Sequence, residues 1–132
     1  MDAYSLEAKA KADEWSRRII GAAIEVHRVL GPGLLEGAYE TCLCREFELQ
    51  GIPFERQKPV DIQYKDIVVR DAFRLDLMVD NLVVVVLKSI AKFDAVHEAQ
   101  LLTYLRLTDR WLGLLLNFNV PVLKDGIMRR VR

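Results

Sequence analysis

Apolar positions early in the chain fall three and four residues apart. Trp15, Ile19, Ala22, Val26 and Leu30 form one stripe of a helix expected from about Ser5 to Leu30. "GPG", Gly31 to Gly33, ends it, because proline cannot continue a helix and glycine accepts positive φ. A second helix is expected from about Leu34 to Gln50, closed by Gly51 and followed by Pro53. Beyond it the period shortens to that of strands. A strand is expected near Val60–Tyr64, a turn at Lys65 and Asp66, strand material from Ile67 to Val79 broken near Asp71, and a turn at Asp80 and Asn81.

The segment "LVVVVLK", Leu82 to Lys88, is apolar on both faces until its last residue. That pattern predicts a central strand covered on both sides. Val84, Val86 and Lys88 share one face; Val83, Val85 and Leu87 share the other. Asp94 suits the cap of a third helix, "AVHEAQLLTYLRL", with Leu101, Leu102 and Leu105 toward the core. Trp111 to Phe118 reads as another buried strand, and a short strand near Ile127–Val131 can follow it. The order ααβββαβ predicts an α/β fold, a mixed sheet flanked by helices. The whole chain, residues 1–132, reads as one domain: an N-terminal helix over 1–30 and a core over 31–132.

With 52% hydrophobic and 29% charged residues, the chain can build a core and keep a solvated surface. Nineteen basic and nineteen acidic residues cancel, so no global field draws it to nucleic acid or membrane. A local excess lies at the end, where Lys124, Arg129, Arg130 and Arg132 outweigh Asp125; the plainer reading is a solvated terminus. No apolar run approaches the ~20 residues of a membrane span. Cys42 and Cys44 point in different directions on a helix and are too few for zinc, so free thiols and a cytoplasmic setting are expected.

Candidate chemistry gathers around the central strand. Lys88 stands at its rim, where a lysine can simply snorkel outward. Asp76 interrupts "FRLDLMVD", and a carboxylate among leucines must be paired, hydrogen-bonded or metal-bound. One turn separates it from Lys88, so the two can form either an ion pair or two sides of a reacting centre. His97, Gln100 and Tyr104 lie on one stripe of the third helix. A lone histidine there is more often structural, whereas Gln100 with Tyr104 suits binding of phosphate or positioning of a strand. Glu36, with Gly33 as N-cap, falls at the third helical position, where capping alone favours glutamate.

"GLLEGAY", Gly33 to Tyr39, has the G-x-x-E-x-x-Y pattern, and the chain resembles the GxxExxY protein family. "IIGAAIEVHRVLGPGLLEGAYE", "FRLDLMVD", "HEAQLLTYLRLT" and "GLLLNFNVPVLKDGIMR" carry the resemblance from about Arg18 onward. The family is grouped with the PD-(D/E)xK nuclease-like superfamily, which implies a restriction-endonuclease-like core and Mg²⁺- or Mn²⁺-dependent hydrolysis of DNA or RNA. It implies Glu36 as the helix acid, Asp76 as the motif aspartate and Lys88 as the motif lysine. Gln100 and Tyr104 are the implied Q-x-x-x-Y pair, and Asp76, Glu36 and the Leu87 carbonyl the metal ligands. A hard cation with oxygen ligands neutralises phosphodiester charge and activates water, and a lysine stabilises the negative charge that develops.

The sequence departs from this pattern at Val86. The motif places an acid two residues before the lysine, and valine cannot ligate a metal. The centre loses one negative charge, a cation is drawn less strongly, and Asp76 is free to pair with Lys88. The expectation is therefore a nuclease-type domain weakened or silent in this form, unless Glu98 or Asp94 supplies the missing ligand. The alternatives are a non-catalytic module gripping nucleic acid or protein through the same cleft, with Lys88, Arg74 and the basic tail on phosphate, or a structural domain that forms homo-oligomers.

Overall fold

The structure is a computed structural model and describes residues 4–132. Helix α1 (Leu6–Leu30) starts at Ser5, whose hydroxyl accepts from the Ala8 N–H at 3.0 Å. Helix α2 (Glu36–Gln50) follows the glycine–proline turn. Strands β1 (Phe54–Tyr64), β2 (Ile67–Val79) and β3 (Val83–Lys88) form a meander. Helix α3 (Ala95–Thr108) then crosses to β4 (Leu112–Asn117), and a short 3₁₀ turn (Leu123–Gly126) leads into β5 (Ile127–Val131). The sheet order is β1-β2-β3-β4-β5, with β3 and β4 parallel and every other neighbouring pair antiparallel. The α/β fold class is as expected, and β5 extends the order at its end.

Two cores sandwich the sheet. On one face Val83, Val85 and Leu87 pack with Ile19, Ala22 and Val26 of α1 and with Leu43 and Phe47 of α2. On the other, Val84 and Val86 pack with Leu101 and Leu105 of α3. That double burial is why β3 and β4 read as unbroken apolar runs. Leu102, expected in the core, is exposed: it is turned about 100° from Leu101 around the helix, whereas Leu105, four residues on, shares the Leu101 face.

Three expectations change in detail. Strand β1 begins at Phe54, six residues earlier than the alternation indicates, because its first half is exposed on an edge and carries little apolar signal. β2 is not interrupted at Asp71 but bulged there: Asp71 takes φ 50°, and the Asp61 carboxylate accepts from its N–H at 2.8 Å. α2 starts at Glu36, with Leu35 as the N-cap residue, so Glu36 occupies the first helical position rather than the third.

The turn between α1 and α2 is fixed by Tyr39. Its hydroxyl donates to the Gly31 carbonyl at 2.6 Å and accepts from the Leu34 N–H at 3.1 Å. Its ring, fully buried, stacks on Phe118 at 4.5 Å. The exit of β3 is tied down as well. Ser89 Oγ donates to the Leu34 carbonyl at 2.6 Å, and the Phe118 N–H to the Lys88 carbonyl at 3.0 Å. Buried Asn117 accepts from the Ile90 N–H and donates to the Ile90 carbonyl. The end of β3, the start of α2 and the end of β4 thus form one rigid corner.

Tyr39→Phe keeps the stack and leaves the turn's carbonyl and amide without their partner. It should destabilise the fold by about 1–3 kcal/mol in denaturant unfolding; an unchanged midpoint would show that water replaces the hydroxyl.

Candidate active site

The candidate site lies where β2 parts from β3. Their ladder runs Val79↔Val83, Met78↔Val84, Leu77↔Val85 and stops. One further step in that register would set Asp76 opposite Val86. Instead the Asp76 side chain takes over the pairing: Asp76 Oδ2 accepts from the Leu87 N–H at 2.8 Å. Beyond this point β2 pairs with β1 alone. The expected alternation along β2 also reverses here, for Leu77 and Val79 pack against the α1 and α2 core while Leu75 and Phe73 pack against α3.

Asp76 is half-buried, and burial pushes its pKa above the ordinary carboxylate value. The Leu87 amide opposes that shift, the Glu40 and Glu36 charges reinforce it, and Lys88 opposes it. Among the described residues Lys88 forms no ion pair with Asp76, contrary to the expected alternative; its charge acts from a longer distance, and a backbone amide holds the carboxylate. Lys88 is half-buried at the fixed end of β3.

α3 contributes Gln100 and Tyr104 together. Gln100 Nε2 donates to the Tyr104 hydroxyl at 3.1 Å, and the Tyr104 ring stacks on Phe73 of β2 at 4.5 Å. Burial raises the Tyr104 pKa, and the Asp76 charge raises it further. The buried Gln100 Oε1 has no hydrogen-bond partner. The Glu36 charge, on the exposed first turn of α2, also acts on Asp76. Of the expected residues, Asp76 ends the β2–β3 ladder, Tyr104 packs on the same strand through Phe73 and bonds to Gln100, and Glu36 and Lys88 act on Asp76 through their charge.

Val86 does not line this fork as an open position. It is 4% exposed and packs with Met78, Val84, Leu101, Leu105 and Leu115. Neither acid considered as a replacement enters. Glu98 pairs with Arg130 of β5 at 3.1 Å, and Asp94 caps α3, accepting from the Val96 N–H at 2.9 Å. His97 completes that cap by accepting from the Asp94 N–H at 3.0 Å, the structural role expected of it. Among the described residues no three His, Cys, Asp or Glu side chains are placed to hold one metal ion. With valine at 86 and the Asp76 oxygen committed to an amide, the donor set does not fit a resident divalent cation.

The basic tail is not a free phosphate clamp. Arg129 pairs with Asp13 of α1, Arg130 with Glu98, and Arg132 with Asp109 at 2.8 Å. Arg74 pairs with Asp71 at 2.9 Å. Glu40 is the site residue that sequence reasoning missed. It stands one helical turn after Glu36, and that spacing was the available signal.

A family model described as the PD-(D/E)XK nuclease superfamily matches residues 13–131 of the chain. No curated protein and no solved structure matches it. No helix is long and apolar enough to cross a membrane among the described residues.

Asp76 has a folded-state pKa above its unfolded value, so its ionisation opposes folding. Its favourable contribution is complete below the ordinary carboxylate pKa and is lost as pH rises through the folded value. Asp76→Asn, which can still accept from the Leu87 amide, should therefore raise the unfolding temperature near pH 7. The gain should fade as pH falls toward about 4, the ordinary carboxylate range. A gain independent of pH in a melting series would refute this electrostatic origin.

Proposed function

The chain belongs to the PD-(D/E)XK nuclease superfamily, and we propose that it is a nuclease-type phosphodiester hydrolase domain whose metal centre is silenced by Val86. Within the superfamily, the Gly33–Tyr39 block supports placing it with the GxxExxY proteins. The observation that carries the proposal is the fork itself: Asp76 leaves the ladder where β2 parts from β3, Tyr104 packs over the same strand and bonds to Gln100, and the inner strand offers a buried valine at the remaining position.

Superfamily members generally use divalent metals, and Mg²⁺ or Mn²⁺ would supply the charge that activates water beside a phosphodiester. In this chain Asp76, Glu36 and the Leu87 carbonyl retain the proposed ligand positions, but their number is too small to keep such an ion bound. Lys88 keeps a positive charge at the rim for a phosphate oxygen. Gln100 and Tyr104 orient one another. DNA or RNA is the substrate class this arrangement supports.

The alternative of a phosphate-gripping module without metal has less in its favour. Arg74, Arg129, Arg130 and Arg132 are all paired with acids.

Val86→Glu, set beside Val86→Gln as a control of equal bulk, tests the proposal. Restoring the acid should tighten Mn²⁺ binding in calorimetry by at least about 10–100-fold and bring Mn²⁺-dependent cleavage of single- or double-stranded DNA or RNA. A folded Val86→Glu protein that neither binds Mn²⁺ nor cuts any of these would end the nuclease reading.

A further inference from the structure

Glu40 is 9% exposed, and both of its carboxylate oxygens are occupied. Arg56 Nε donates to Oε2 at 2.8 Å, and Gln57 Nε2 donates to Oε1 at 2.7 Å. Arg56 is held further by a 3.0 Å bond to Thr41 Oγ1. Consecutive residues of a strand ordinarily point to opposite faces. Both reach α2 here because Gln57 has φ 52°, in the left-handed region. For a side chain other than glycine that conformation is unfavourable and persists only where the surroundings impose it.

Its location gives the kink a purpose. Gln57 falls between the Arg56↔Leu77 and Lys58↔Leu75 pairs, level with Asp76. At that level both strands roll over. Phe54 and Leu77 pack against the α1 and α2 core, whereas Val60 and Leu75 pack against the α3 core. The β2–β3 ladder ends at the same level.

We infer that Glu40 and Gln57 are positioning residues for Asp76. The Glu40 carboxylate holds Arg56 and Gln57 on one side of β1. The resulting kink rolls the β1–β2 ribbon, and the roll turns the Asp76 carboxylate out of the ladder and onto the Leu87 amide. What this means for hydrolysis rests on the nuclease-type reading above; the positioning of Asp76 does not.

The test uses the full chain without metal or substrate and reads the Leu87 amide by NMR. Gln57→Val deletes one bond of the clamp and disfavours the positive φ, whereas Gln57→Gly deletes the same bond and leaves that φ open. Glu40→Ala deletes both bonds, and Glu40→Gln keeps an acceptor for Arg56. In Gln57→Val and Glu40→Ala the Leu87 amide proton should move upfield. Its exchange should quicken by about tenfold or more relative to the amides of Val84 and Val85, with partial return in Glu40→Gln and in Gln57→Gly. A Leu87 amide that keeps its wild-type shift in both Gln57→Val and Glu40→Ala, or changes only in step with Val84 and Val85, would overturn the positioning role. Because no ion enters the experiment, that result is distinct from a failure of Val86→Glu to bind Mn²⁺.

Discussion

The bond from the Leu87 N–H to Asp76 Oδ2 is the joint on which the site depends. A sheet interior normally satisfies its amides by ladder pairing, and an unpaired buried amide is expensive. Here a side chain replaces the backbone carbonyl as acceptor. β2 is thereby released from β3 without leaving Leu87 unsatisfied, and the two strands part inside the sheet rather than at its edge. The same bond places a carboxylate at the root of that fork, where the charges of Glu40 and Glu36 disfavour its ionisation and that of Lys88 favours it. Geometry that separates the strands and chemistry that concentrates negative charge are consequences of one hydrogen bond.

That joint would be loose without the corner behind it. Tyr39 closes the glycine–proline turn, Ser89 ties the turn to the exit of β3, and Asn117 fastens the following loop to the end of β4. The Tyr39 and Asn117 contacts satisfy polar groups in a semi-buried setting, where an alternative arrangement would strand a donor or acceptor. The tyrosine of the G-x-x-E-x-x-Y pattern is therefore architectural, and its glycine, Gly33, takes φ 99° in the turn that Tyr39 closes. Together they fix the start of α2, and the start of α2 sets where Glu36 stands.

What the sequence revealed follows from the same physics. β3 and β4 were legible because both faces are buried and the apolar runs are unbroken; α1 was legible from its stripe. Asp76, Lys88, Gln100 and Tyr104 stood out as polar residues on otherwise apolar elements or at helical spacing. The first half of β1 was hidden because its partners lie on one side only. Glu40 and Gln57 were hidden because their roles arise from register: nothing local marks a glutamine that must adopt left-handed φ opposite an aspartate. The arginines at the end looked solvated because their acids come from α1, α3 and the α3–β4 turn.

Position 86 shows stability and function opposed at one residue. Full burial of a valine side chain contributes about 1.5–3 kcal/mol, and Val86 obtains this from Leu101, Leu105 and Leu115. An acid there would forgo that contact and set a further charge beside a carboxylate whose ionisation burial already disfavours. In a metal-binding relative the cation compensates for such crowding. Without the cation, an acid at 86 is strain with nothing to offset it, and valine is the residue the packing prefers. On the proposed reading, the unbroken apolar run at Val83–Leu87 is a strand relieved of a repulsion that metal-dependent hydrolysis would require it to bear.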